Sequence, residues 1–166
     1  MATGLFAGER VPASLLLSLI PNGVVKPSDE SLPSSTAMQN DNDLVTNVQV
    51  STDYIFLCWI LYEGFTGGSG DIKWQWTLPA GASLAYQAFY ENLTPTLAGA
   101  ATFTAATVGQ AQSNGAGNDR GIFMFGSLTV GVTAGNIQLQ WAQNTSSATP
   151  TIVHTGSVLL LIPLPS

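Results

Sequence analysis

The chain has 166 residues, of which 45% are hydrophobic and only 8% are charged, and its net charge is −6. This length suits one domain with its own core and a short extra segment. Binding to nucleic acid or to an anionic membrane surface needs clustered cations, and the four present (Arg10, Lys26, Lys73 and Arg120) are scattered, so the composition excludes both partners.

Residues 1–35 form a first region that is rich in proline and glycine. Pro12, Pro21, Pro27 and Pro33 exclude regular strands and break helices, apart from one short helix possible over Pro12–Ile20. A segment that needs only solvation would not carry so many large aliphatic residues. We therefore predict an extended N-terminal arm that docks on a partner.

From about residue 36 onward the pattern is all-β. Runs rich in Val, Ile, Thr and aromatic residues alternate with Gly, Asn, Ser and Pro. They predict strands near residues 36–39, 44–50, 53–62, 71–78, 83–91, 101–107, 120–130, 135–143 and 150–162. The predicted fold is a jelly-roll β-sandwich of eight or nine antiparallel strands over residues 36–166, preceded by the arm over residues 1–35.

The acidic tract Asn40–Asp43 separates the first two predicted strands. Asp41 and Asp43 suggest calcium, but the spacing and the closing glutamate of an EF-hand are missing. Turns rich in Asp and Asn have the same composition. We therefore predict a turn here.

The predicted strand Tyr54–Tyr62 is apolar on both faces. A sandwich strand with one face in water would carry polar residues at every second position, and this one does not. Burying three or four such side chains contributes roughly 5–10 kcal/mol, which rivals the net stability of a domain. Neighbouring subunits are therefore expected to cover the second face.

Two other runs share this character, Ile122–Leu128 and Val158–Ile162. If the three strands lie in one sheet, its outer surface is the expected assembly interface. The residues predicted for this oligomer interface are Tyr54, Phe56, Trp59, Leu61, Tyr62, Phe123 and Phe125.

Trp74, Trp76 and Trp141 lie on the apolar side of cleanly alternating strands. Three tryptophans could stack on sugars, which leaves a lectin-like or small carbohydrate-active domain as an alternative. Their position on the apolar side favours core packing.

No catalytic constellation is found in the sequence. His154, the single histidine, has no acid or cysteine close in sequence, so we expect it at a surface or an interface. Cys58, the single cysteine, lies in the most apolar strand and is expected to be a buried, inert thiol. The protein is predicted not to be an enzyme and to use no cofactor or metal.

Four tracts in order carry a family resemblance: Phe6–Leu16, Ser35–Leu44, Gly70–Tyr86 and Trp141–Leu161. Together they resemble small virion proteins of tailed phages that infect actinobacteria. The resemblance implies a tail-associated or capsid-decorating component, built as a trimer of jelly-roll subunits similar to tumour-necrosis-factor-like folds. In that fold the trimer packs on aromatic and aliphatic faces of one sheet.

The arm would then be the virion anchor. From their position and apolarity we assign anchoring to Phe6, Val11, Leu15, Leu16 and Leu19. The expected partners are two further copies of the chain, which form a homotrimer, and the major capsid protein or tail proteins of the virion.

The function predicted from the sequence is therefore non-enzymatic capsid decoration at the virion surface, with assembly in the host cytoplasm. The alternative is a minor tail protein that binds receptors, with a host glycan as a further partner.

Overall fold

The computed structural model describes residues 20–65, 71–91, 97–98 and 102–164. Every regular element in these ranges is a β-strand, and none of them contains a helix that could span a bilayer. The strands are β1 (Asn22–Val25), β2 (Glu30–Leu32), β3 (Gln39–Val48), β4 (Asp53–Glu63), β5 (Ile72–Thr77), β6 (Ser83–Glu91), β7 (Leu97–Ala98), β8 (Thr102–Thr104), β9 (Gly109–Ala111), β10 (Arg120–Thr129), β11 (Gly135–Ala142), β12 (Thr151–Val153) and β13 (Val158–Pro163).

The strands form two antiparallel sheets. The larger sheet follows the order β1-β13-β4-β10-β6-β7, with β12 paired to β2 and β4 and with β8 paired to β6. The smaller sheet has the order β3-β11-β5-β9. Successive long strands alternate between the sheets, so β3, β4, β5 and β6 each lie opposite the one before. The predicted all-β sandwich of jelly-roll type is confirmed.

The core lies between the sheets and is built from the inward side chains of both. Phe56 on β4 meets the ring of Trp76 edge-on at 5.1 Å and the ring of Tyr86 at 5.7 Å. Trp74 donates a hydrogen bond from Nε1 to the Tyr86 hydroxyl at 3.2 Å. Inward aromatic residues from β4, β5 and β6 therefore hold the two sheets together.

The prediction that residues 1–35 contain no regular strand is wrong for their second half. β1 pairs with β13, and β2 pairs with β12. Both are short edge strands, and Pro21, Pro27 and Pro33 lie outside them. Proline is tolerated at such places because its missing N–H interrupts no ladder.

The predicted turn at Asn40–Asp43 is also wrong, because β3 continues through the acidic tract. The pairing of β3 with β11 slips between Gln138 and Gln140, opposite this tract. The carboxylate of Asp41 accepts the backbone N–H groups of Asp43 and Leu44 at 3.0 and 2.8 Å. A bulge stabilised by its own aspartate thus replaces the turn.

The predicted strand over residues 150–162 is divided into β12 and β13 by a tight turn. Gly156 has a φ of 83°, a conformation that side-chain-bearing residues rarely adopt. The N–H of Ser157 closes the turn by donating to the carbonyl of His154 at 3.3 Å. The turn lets one segment contribute two strands to the larger sheet.

Candidate assembly face

The three strands that were predicted to be apolar on both faces are neighbours in the larger sheet, in the order β13-β4-β10. The condition on which the expected assembly interface depended, that the three strands share one sheet, is therefore met. Their register aligns outward side chains in two rows, Val158–Trp59–Phe123 and Leu160–Leu57–Phe125. We call this surface the outer face; it comprises Leu57, Trp59, Leu61, Phe123, Phe125, Val158 and Leu160.

Three aromatic side chains of the outer face are open to solvent. Trp59 is 43% exposed, Phe123 38% and Phe125 50%. A shallow pocket of about 220 Å³ between Trp59, Phe123 and Leu160 adds a concave feature. Contiguous exposed aromatic residues of this kind are typical of interaction surfaces.

Trp59 has a fixed position on this face because Gly121, which has no side chain, leaves room for the indole ring to pack against β10. A Cβ placed on Gly121 would come within 2.1 Å of the indole ring. Phe123 stacks on Phe89 of β6, with ring centroids 6.3 Å apart. Two of the aromatic side chains are therefore held in place by the sheet before any partner arrives.

The outer face carries no charge along β4. Asp53 and Glu63 stand at the two ends of this strand, and all outward side chains between them are apolar. Copies of a chain with a net charge of −6 repel one another. An uncharged surface is where such copies can approach at the lowest electrostatic cost.

Three residues predicted for the oligomer interface lie on the opposite side of β4. Tyr54, Phe56 and Tyr62 are at most 1% exposed and belong to the chain's own core. Successive side chains of a strand point to opposite faces, so these three cannot share a surface with Trp59. Their assignment is corrected to the core, and an interface role for Trp59, Leu61, Phe123 and Phe125 stays a prediction.

The tryptophans that could have stacked on sugars are buried. Trp74, Trp76 and Trp141 are at most 3% exposed, so their predicted core packing is confirmed. The carbohydrate-active alternative loses the residues on which it rested. Cys58 is buried as predicted, and burial, with a smaller contribution from the Asp41 charge, raises the pKa of its thiol above the ordinary value.

Apart from the outer face, the structure contains a buried cluster of charged residues beside β3, in which Lys26 is fully buried. Its ammonium lies 2.8 Å from Glu30, 3.0 and 3.1 Å from the two oxygens of Asp41, and 3.1 Å from Asp43. Trp141 also donates to Asp41 from Nε1, at 3.1 Å. The acidic tract that suggested calcium therefore binds the cation of Lys26.

Burial alone would lower the pKa of Lys26, but the bonds to Glu30, Asp41 and Asp43 outweigh it and raise the pKa above its ordinary value of 10.5. In the sequence, this lysine is one of four scattered cations. Its position directly after Val24 and Val25, in a chain with so few cations, was the available signal of burial.

The surroundings of His154 also differ from the sequence-based prediction. It was expected to lack acidic companions, yet its Nδ1 lies 3.3 Å from Asp29 and its Nε2 lies 3.3 Å from Asp119. Both aspartates are distant in sequence, and only the folded sheet brings them together. The backbone N–H of Thr155 binds Asp29 and, with His154, lowers the pKa of that carboxyl.

The five predicted anchoring residues Phe6, Val11, Leu15, Leu16 and Leu19 lie outside the described residues. The prediction assigned residues 1–35 to an arm separate from the sandwich. In the described part of this region, residues 22–32 contribute β1 and β2 to the larger sheet. Only the part before Ile20 is left for an arm separate from the sandwich.

No protein-family model matches the chain, and no curated protein matches it. Among solved structures, the chain is similar to that of infectious bursal disease virus Gx strain at 9% identity and a TM-score of 0.37, covering 86% of this chain and 32% of that one. It is also similar to the structure of the Gt strain, at 12% identity and a TM-score of 0.23, covering 88% of this chain and 42% of that one. A third similar structure is the VP2 subviral particle of the same virus, at 12% identity and a TM-score of 0.20, covering 87% of this chain and 42% of that one. The chain therefore spans 32% to 42% of the length of these proteins, and no function is carried over from them.

Proposed function

We propose that this protein is a non-enzymatic structural component of a virus particle whose copies associate through the outer face as a homotrimer. The observation that carries the proposal is the uncharged surface on which Trp59, Phe123 and Phe125 are exposed side by side. A stable free-standing monomer rarely keeps such a patch in water.

The energetics favour covering this surface. Fully burying one large apolar side chain contributes about 1.5–3 kcal/mol, and Trp59, Phe123 and Phe125 are still between a third and a half exposed. Aromatic residues at the centre of a contact surface carry most of the binding energy in protein interfaces. Trp59, fixed by Gly121, binds with less loss of conformational freedom than a mobile side chain would.

The viral role is supported by the four tracts that resemble small virion proteins of tailed phages, and by a surface with few charges. Within that class we propose capsid decoration: the segment before Ile20 anchors the protein to the shell, and the sandwich projects from the virion surface. The anchoring side chains are Phe6, Val11, Leu15, Leu16 and Leu19, and the shell partner is the major capsid protein.

The oligomeric state of the full chain tests the proposal. Sedimentation velocity at micromolar concentration should show a trimer, and Phe125→Ser should raise the dissociation constant at least about 30-fold, the effect of losing a hot-spot residue worth 2 kcal/mol. Phe125 is half exposed, so its replacement spares the core.

Val132→Ser is the matched control, because Val132 is apolar and 89% exposed but lies in the turn between β10 and β11. It should leave the trimer intact. A monomeric wild-type chain at micromolar concentration, or equal effects of the two substitutions, would contradict the proposal.

A minor tail protein that binds host-surface glycans is the second candidate, and Phe65, 45% exposed after β4, favours it. A second aromatic residue, Tyr90, packs edge-on against Trp74 at 5.8 Å and is half-buried. Binding of the full chain to host cells that is lost in Phe65→Ala would support this candidate over decoration.

A further inference from the structure

Three metal-ligating side chains converge at one end of the larger sheet. Glu63 is the last residue of β4, Asp119 immediately precedes β10, and His154 immediately follows β12. One ligand atom from each lies within 4.8 Å of the other two. Strand pairing brings them together, since Arg120 is aligned with Tyr62 and Ile152 with Glu63.

We propose that Glu63, Asp119 and His154 bind a divalent transition-metal ion of the Zn²⁺ type, with Asp29 as a positioning residue. One imidazole and two carboxylates form a donor set that such ions accept, with room for a solvent ligand. The imidazole nitrogen makes a calcium site less suitable, because Ca²⁺ prefers oxygen ligands.

The position of the imidazole favours a metal over a simple ion pair. Nε2 of His154 is buried and has no hydrogen-bond partner, although Asp119 lies 3.3 Å away. Two ligands of a tetrahedral ion with bonds of about 2.1 Å are separated by about 3.4 Å, which agrees with the observed spacing.

Asp29 supplies the outer carboxylate that metal-binding histidines commonly have. It lies 3.3 Å from Nδ1, on the side of the ring opposite the cluster. Asp29, on the Nδ1 side, orients the ring so that Nε2 is directed towards Asp119 and Glu63. Asp29 itself is held by the backbone N–H of Thr155 at 2.8 Å.

The local charge also suits a divalent ion. The carboxylates of Asp29, Glu63 and Asp119 bring three negative charges around the imidazole of His154. Asp119 is 53% exposed at its side chain, so an ion can enter from solvent. Glu63 accepts the N–H of Gly117 through Oε2, which ties the loop before β10 to the same site.

Calorimetric titration of the metal-free full chain with ZnCl₂ tests the site. One ion should bind per chain, and His154→Gln and Asp119→Asn should each weaken binding at least about tenfold. Asp29→Asn removes no ligand but should weaken binding about 10–100-fold. Asp53→Asn, at the exposed start of β4, is the matched control and should leave the affinity unchanged.

Two further readouts separate a metal site from an ion-paired histidine. Bound Co²⁺ should give the intense visible absorption of a tetrahedral centre, lost in His154→Gln. Zn²⁺ at a hundredfold excess over its dissociation constant should raise the Tm by about 5–10 °C. Repeating the titration on Phe125→Ser keeps the result independent of the proposed trimer.

The absence of saturable binding to the wild-type chain would overturn the proposal, as would equal affinity in wild type and Asp119→Asn. If His154→Gln fails to fold, Asp119→Asn decides alone, because the side chain of Asp119 is 53% exposed.

Discussion

Lys26 connects three parts of the chain that are far apart in sequence. Its side chain binds acids of β2 and β3, while its carbonyl accepts the N–H of Gly156 at 3.0 Å and the hydroxyl of Thr155 at 3.1 Å. Asp41, its fully buried partner, also accepts a bond from Trp141 on β11. A buried charge network of this kind fixes the position of β1 against both sheets.

Lys26→Met should therefore be strongly destabilising. It leaves the carboxylate of Asp41 buried without its cation, which costs about 3–5 kcal/mol, a large share of a typical net stability. Urea unfolding at neutral pH measures the change. Lys73→Met, on the outward side of β5, is the matched loss of a cation and should change stability by less than about 0.5 kcal/mol.

The difference between wild type and Lys26→Met should also depend on pH. The folded-state pKa of Lys26 is raised, so its contribution is complete below pH 10.5 and is lost as the pH rises through the folded-state value. Tyr86 and Cys58, whose pKa values burial also raises, destabilise both variants in the same window. The gap between the variants should narrow above pH 10.5, and a gap that widens there would contradict the assignment.

At the scale of the strand, Gly121 shows how one position shapes a neighbouring element. It leaves the space on β10 that the indole of Trp59 on β4 occupies. Gly121→Val would place side-chain atoms inside that ring, so Trp59 has to swing away from the sheet. The strand pairing itself survives, because valine suits a β-strand.

Two consequences of Gly121→Val are measurable together. The dissociation constant of the proposed trimer should rise about tenfold or more, and acrylamide should quench Trp59 more readily. The signal is specific because the other three tryptophans of the chain are buried. Trp59→Phe is the control, in which the accessible fluorescence should disappear. Unchanged quenching and unchanged association in Gly121→Val would show that Gly121 does not hold Trp59 in place.

Alternation of side chains was sufficient to predict two strands of the smaller sheet, each with one face in the core. Ile72–Leu78 and Asn136–Trp141 alternate cleanly, and β5 and β11 occupy those ranges. The bulge in β3 was not predictable, because its aspartate is satisfied by Lys26 and Trp141 from elsewhere in the chain. The companions of His154 were missed for the same reason: Asp29 and Asp119 come from segments that only strand pairing brings near.

At the level of the whole molecule, the described part of the N-terminal region belongs to the sandwich. β1 and β2 make residues 22–32 part of the larger sheet, so removal of all 35 residues would take Lys26 and two strands with it. A test of anchoring has to retain the chain from Ile20 onward.

Deletion of residues 1–19 should therefore abolish attachment to virus particles while the trimer persists. Co-sedimentation with particles that lack the protein measures attachment, and sedimentation velocity of the same sample checks the trimer. A second variant exchanges Leu15, Leu16 and Leu19 for serine in the full-length chain, and it should lose attachment in the same way. Full occupancy of particles by the truncated chain would show that the anchor lies in the sandwich.

The alternation of successive strands between the sheets also governs how the chain reaches its native state. Neither β3 with β4 nor β10 with β11 can form a local hairpin, and β1 has to wait for β13 at the far end of the sequence. Topologies dominated by such distant pairings fold in milliseconds to seconds, far slower than local ones. Throughout that interval Trp59 and Phe125 can contact other partly folded chains, so correct assembly competes with aggregation. Dilution and slow synthesis would favour correct assembly.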